Sequence, residues 1–175
     1  MTKLTRNALL LASIGLASGT SVALAQGTGK VLDACTLLSG PEVRTVAKRS
    51  DLATGTPRTH QISTASYSSC ILAGTIDIGI TLNTNTNDYY ARMRDTYLKA
   101  PPNSGFRVEK QGGLGDDAYV LFAPPGTQVR LEMLVGARRV SLSVAKTTDT
   151  KQAVPEAEAK RIVLAVASAL VPKLR

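Results

Sequence analysis

Val129-Arg130-Leu131-Glu132-Met133-Leu134-Val135-Gly136-Ala137-Arg138-Arg139-Val140-Ser141-Leu142-Ser143-Val144 carries the pattern that decides the fold. Val129, Leu131, Met133 and Val135 alternate with Arg130 and Glu132; Val140, Leu142 and Val144 alternate with Arg139, Ser141 and Ser143. A period of two is that of a strand with one buried face. Gly136-Ala137 suits a two-residue hairpin turn with glycine at the first central position. That turn sets Met133 against Val140, Leu131 against Leu142 and Val129 against Val144, so all three apolar pairs share one face. A three-residue loop would put the two apolar sets out of phase. The opposite face, with Arg130, Glu132, Arg139, Ser141 and Ser143, is expected to be solvated.

Working outward, Pro155 to about Leu170 reads as a helix, because Ala159, Ile162, Val163, Val166, Ala167 and Leu170 recur at helical spacing. Its continuous apolar run between Arg161 and Pro172 is too short to span a membrane. Upstream, Gly112-Gly113-Leu114-Gly115-Asp116-Asp117 leads into a strand from Ala118 to Phe122, and Phe106 and Val108 alternate with Arg107 and Glu109 in a shorter one. A helix from Asn87-Asp88 to about Lys99 ends at Pro101-Pro102, with Tyr90, Met93 and Tyr97 as a core-packing stripe. Ile76, Ile78, Ile80 and Leu82 mark a strand whose hairpin partner is Tyr67 to Leu72. A two-residue turn at Ala73-Gly74 sets Ile71 against Ile76 and Tyr67 against Ile80, which places Cys70 on the other face, opposite Asp77. Ser39-Gly40-Pro41-Glu42 opens a short helix that Lys48 and Arg49 close. Ser50 to Ala65 is a loop or weak edge strand and contains His60. The predicted class is α+β, a largely antiparallel sheet of five to six strands covered by helices on its apolar face.

The chain has 175 residues, 43% of them hydrophobic, with 21 Lys+Arg against 13 Asp+Glu. This composition suits one folded domain and argues against disorder. Residues 1–25 read as a secretory signal: Lys3 and Arg6, an apolar stretch from Ala8 to Leu16, then Ala23-Leu24-Ala25 before Gln26. Ser18, Gly19, Thr20 and Ser21 interrupt that stretch too early for a membrane anchor. Cleavage leaves a domain of 150 residues, 26–175, and lowers the formal charge from +8 to +6. The expected location is the periplasm or the extracellular space, where cysteines oxidise. Cys35 and Cys70, the two cysteines, are then most simply a disulfide, with free thiols as the alternative. Leu32-Asp33-Ala34-Cys35 resembles a lipid-attachment box, but Asp33 is charged and Lys30 separates it from the apolar run.

Catalytic motifs are sparse. Two cysteines and one histidine cannot assemble a four-ligand Cys/His zinc site. A Ser/His hydrolase would have to use His60, with Ser63, Ser66, Ser68 or Ser69 near it in sequence and no motif selecting one. Gly112-Gly113-Leu114-Gly115 lacks the Lys-Ser/Thr of a phosphate-cradling loop and precedes a strand, so a glycine turn is the reading. Asp116 and Asp117 offer fewer oxygens than a calcium loop. Arg130, Arg138 and Arg139 form a candidate basic patch, for which a solvated face is the simpler reading and polyanion or anionic-lipid binding the alternative. No cofactor or metal is implied, and nucleic acid is not expected without exposed aromatics.

Asp33-Ala34-Cys35-Thr36-Leu37-Leu38-Ser39-Gly40-Pro41-Glu42-Val43, the later Cys70, and Gly113-Leu114-Gly115-Asp116-Asp117-Ala118-Tyr119 together resemble a family of small bacterial secreted proteins and lipoproteins of unknown function. The resemblance spans most of the mature chain. It implies a sandwich similar to the PsbP/LpqN-like fold, a Cys35 to Cys70 disulfide and no known enzymatic activity, although the chain lacks the family's lipid-attachment cysteine. The expected protein is a monomeric exported binding or accessory module for a protein or small ligand of the cell envelope. A hydrolase working near His60 is the competing expectation.

Overall fold

A computed structural model of the chain describes residues 32–53, 58–60, 67–74, 76–83, 87–124, 128–146 and 154–175. Residues 1–25, where a secretory signal is expected, and Ser63 and Ser66 lie outside them.

The hairpin from which the fold was read forms in the expected register. Strands β6 (Gln128–Val135) and β7 (Arg138–Lys146) pair Met133 with Val140, Leu131 with Leu142 and Val129 with Val144. Gly136 takes φ +58°, which the glycine-first turn requires. Before it in the chain come helices α1 (Ala34–Leu37) and α2 (Gly40–Ala47), strands β1 (Arg58–His60), β2 (Tyr67–Leu72) and β3 (Ile76–Asn83), helix α3 (Asn87–Leu98), and strands β4 (Arg107–Gln111) and β5 (Asp117–Phe122). Helix α4 (Glu156–Leu174) closes the described chain. The order across the single sheet is β1-β2-β3-β7-β6-β5-β4, and every neighbouring pair is antiparallel. The architecture is α+β, with six strands of five or more residues and the three-residue β1 at one edge.

The β2–β3 hairpin corrects the expected register. Leu72 pairs with Ile78, Cys70 with Ile80 and Tyr67 with Asn83. The turn is therefore longer than Ala73-Gly74, and the odd shift turns β2 over. Cys70 faces the core with no exposed surface, while Tyr67, Ser69 and Ile71 point to the other face. The residues just after α2 explain the wider turn. A Cβ at Gly74 would lie 2.7 Å from the Ala53 nitrogen, so the turn packs against that segment and admits only glycine.

The apolar face carries the main core. Leu131, Met133, Val140, Leu142 and Val144 share this core with Ile162, Val163, Val166 and Leu170 of α4, which packs on β6 and β7, while Ile76, Ile78, Ile80 and Leu82 of β3 extend the same core toward α1. Each such side chain contributes about 1.5–3 kcal/mol when fully buried. Helix α4 runs one turn beyond the periodic stretch, through Pro172, because Val171 and Leu174 also find the core. Helix α2 lies antiparallel on α4, tied at both ends. Lys173 Nζ donates to Glu42 Oε1 at 2.6 Å, and Arg161 donates to the Ala47 carbonyl at 2.7 Å. Ser39 and Glu42 form a reciprocal capping box at the start of α2. The four-residue α1 was not anticipated. It is held by the Asp33 cap, by a buried bond from the Ala34 N–H to Ser68 Oγ at 3.0 Å, and by the Cys35–Cys70 disulfide.

The second face departs from the expectation of a solvated surface. Helix α3 packs over β4 to β6, burying Tyr90 against Tyr119 with ring centroids 5.2 Å apart, and Leu121 completes a small second core. Glu132 and Ser141 are buried there as well. Among the described residues, no helix covers the part of this face over β2, β3 and β7, bounded by β6.

Candidate functional site

Strand pairing arranges the second face in three rows. One row runs Tyr67, Asn83, Arg139, Leu134, Asp117 from β2 to β5. The next runs Ser69, Thr81, Ser141, Glu132, Tyr119, and the third Ile71, Gly79, Ser143, Arg130, Leu121. The middle strands β3 and β7 therefore present Gly79, Thr81, Ser141 and Ser143, all small, between long side chains on either flank. Short residues flanked by long ones leave a trough. Its volume is about 510 Å³, and it is lined by Tyr67, Thr81, Asn83, Arg130, Arg139, Ser141 and Ser143, with Tyr89 of α3 at its rim.

The cleft floor is charged. Glu132 sits between the two arginines, with Arg139 Nε donating to its Oε2 at 3.0 Å and Arg130 Nη1 3.7 Å from its Oε1. The Glu132 side chain is 4% exposed against 16% for Arg139 and 34% for Arg130, so the carboxylate lies underneath and the guanidinium groups reach the cleft. Arg139 is held a second way, its guanidinium carbon 4.5 Å from the centre of the exposed Tyr89 ring. Arg130 is held loosely. Its Nη2 donates to Gln128 Oε1 at 3.0 Å, and its buried Nε has no hydrogen-bond partner among the described residues. An unsatisfied buried donor is uncommon and points to a group whose partner set is incomplete. Ser69 and Thr81 hydroxyls lie 3.2 Å apart at the edge of the cleft, and Ser143 Oγ leans over Gly79, where a Cβ would come within 2.6 Å of it.

Beside the cleft the covered part of the face is built on the buried Tyr90, Tyr119 and Leu121. Burial pushes the Tyr90 and Tyr119 phenols well above their ordinary range, and the nearby charges of Asp117 and Glu132 push the same way. Arg94 of α3 binds Asp117 at 2.9 Å and fixes the helix over the sheet, which places Tyr89 at the cleft mouth.

The candidate basic patch is divided between the two faces. Arg130 and Arg139 share the cleft floor, but Arg138 points to the α4 side and donates to the Leu174 carbonyl at 3.0 Å, where a cation complements the helix C-terminus. Cys35 and Cys70 form a disulfide with Cα atoms 5.0 Å apart, on the opposite face of the sheet from the cleft. His60 stands on the edge strand β1, paired with Ser69 in the backbone ladder. Gly113 and Gly115 take φ +77° and +60°, and Asp116 caps a turn by accepting from the Gly136 N–H at 2.6 Å. Among the described residues no group of three or more His, Cys, Asp or Glu could hold a metal ion, and no helix is long and apolar enough to cross a membrane.

The cleft residues that the sequence reading passed over are Tyr67, Thr81, Asn83 and Tyr89. The signal was the run of small outward residues on two strands, which becomes a trough only when β3 is known to pair with β7. Comparison with known protein families, curated proteins and solved structures finds no match for the chain.

Proposed function

We propose that this chain is an exported, disulfide-bridged module of the bacterial cell envelope that binds a small polar ligand in the cleft on the second face of its sheet. The observation that supports the reading is the cleft itself. A volume of about 510 Å³ falls within the range of about 300–1,000 Å³ typical of small-molecule sites, and its polar groups converge from four strands and a helix. Glu132 beneath the arginines fits a binding floor: a buried carboxylate is costly to build, and here it fixes the Arg139 guanidinium at 3.0 Å with Arg130 beside it. The Cys35–Cys70 disulfide supports an oxidising compartment and agrees with the signal segment and with the secreted family the sequence resembles.

The test is a ligand-observed NMR screen of small polar metabolites against the mature protein, with Ser143→Phe as the blocked control. Compounds should bind the wild-type protein and lose binding when a phenyl ring fills the trough. Binding that is indifferent to Ser143→Phe, or an empty screen, would refute the reading. Export is checked separately: the intact mass of the secreted protein should place Gln26 at its N-terminus and show two hydrogens fewer than the dithiol, whereas an uncleaved chain or free thiols would count against it.

A further inference from the structure

We infer that the cleft takes a small polyhydroxylated monocarboxylate, a sugar acid, an assignment that rests on the cleft being a ligand site. Charge is the first argument. Among the described residues the floor holds two guanidinium groups and one carboxylate, a formal surplus of one positive charge. A single carboxylate on the ligand balances it. A dianionic phosphate ester brings one charge too many within reach of Glu132, and a neutral sugar leaves a cation without a counter-charge.

Hydrogen-bond chemistry is the second. Thr81, Ser141 and Ser143 hydroxyls, the Tyr67 and Tyr89 phenols and the Asn83 carboxamide each donate and accept. Such groups match hydroxyls, which also do both, whereas phosphate and carboxylate oxygens of a bare anion only accept. The third argument is the state of Arg130, whose Nε lacks a partner among the described residues and which is held by one bond to Gln128 and a long ion pair of 3.7 Å to Glu132. Its guanidinium can turn toward a ligand carboxylate, while Arg139, clamped by Glu132 and Tyr89, supplies a fixed edge.

The test titrates the mature protein with glucuronate, its neutral amide glucuronamide, and glucose 6-phosphate, reading affinity by calorimetry and location by amide shifts. Glucuronate should bind with shifts at Thr81, Ser141 and Ser143, the amide at least about tenfold more weakly, and the phosphate ester no more tightly than glucuronate. Glu132→Gln keeps the shape of the side chain and removes its charge. It should raise the affinity for glucose 6-phosphate relative to glucuronate by about tenfold. Equal binding of glucuronate and its amide, tighter binding of the phosphate ester to the wild-type protein, or no shift in preference with Glu132→Gln would each overturn the assignment. A ligand of other chemistry that Ser143→Phe displaces overturns the sugar-acid assignment alone, and the absence of any cleft-dependent binding overturns both proposals.

Discussion

Removing the Cys35–Cys70 bridge, by reduction or by the double substitution Cys35→Ala and Cys70→Ala, should destabilise the domain by about 3–4 kcal/mol. The magnitude follows from a sequence separation of 35 residues, for which the loss of loop-closure entropy in the unfolded chain comes to about 3.8 kcal/mol. In the reduced protein α1 keeps its Asp33 cap and the Ala34 bond to Ser68, so these contacts leave the figure unchanged. The alanine variant should sit at the upper end, since Cys70 is wholly buried and its truncation adds a small void. A domain of this size has about 5–15 kcal/mol in total, so it should stay folded at room temperature. Its melting temperature should fall by roughly 8–15 °C. Urea unfolding of oxidised and reduced protein measures the difference directly, and hydrogen exchange should show the loss of protection gathered in α1 and β2. A difference below about 0.5 kcal/mol, or exchange that rises evenly through the sheet, would refute the reasoning.

Three further outcomes follow from particular contacts. Ser39→Ala removes one half of the capping box on α2 and should cost about 1 kcal/mol by urea titration; an unchanged midpoint would show that the cap is idle. Gly115→Ala should cost at least about 2 kcal/mol, because φ is +60° and the new Cβ would press on the Leu134 carbonyl, and a loss under about 0.5 kcal/mol would show that the turn yields. The Arg161 guanidinium, helped by Arg49, holds the Glu158 carboxyl down to about 2 from an ordinary 4.5, so the unfolded chain takes up this proton first as pH falls. The stability Glu158 provides is complete above about pH 4.5 and lost as pH drops toward 2, and Glu158→Gln should flatten that segment of the stability curve by up to about 1 kcal/mol, a figure kept small by solvent access to the pair.

Elements with their own period were legible before any coordinates. The β6–β7 register follows from where the apolar residues fall and from Gly136, both local. The β2–β3 turn misled because Ala73-Gly74 looks like a complete two-residue turn, while its actual width is set by residues 51–53 packing on Gly74, a contact between segments that no hairpin rule contains. Helix α3 was placed in sequence but not in space. Tyr90, Met93 and Tyr97 announce a buried stripe without saying which side of the sheet receives it, and the partners that decide it, Tyr119 and Leu121, sit on strands that also look two-sided. The cleft was illegible for the same reason: Gly79 and Thr81 meet Ser143 and Ser141 only because β3 pairs with β7 across a long interval of chain.

That pairing has a kinetic consequence. The sheet consists of two local meanders, and the ladder from Ile76↔Lys146 to Asn83↔Arg139 is the seam that joins them. The chain must close loops of some 56–70 residues to zip it, which places the slow step of folding late in the sequence. Until β7 is present, β3 lacks the strand that pairs along its second edge. The seam therefore cannot close before residues 138–146 are available, and the topology itself sets this late step. A fragment ending before Arg138 should show no cooperative unfolding transition, and a two-state melt from that fragment would place the seam later in folding than the architecture requires.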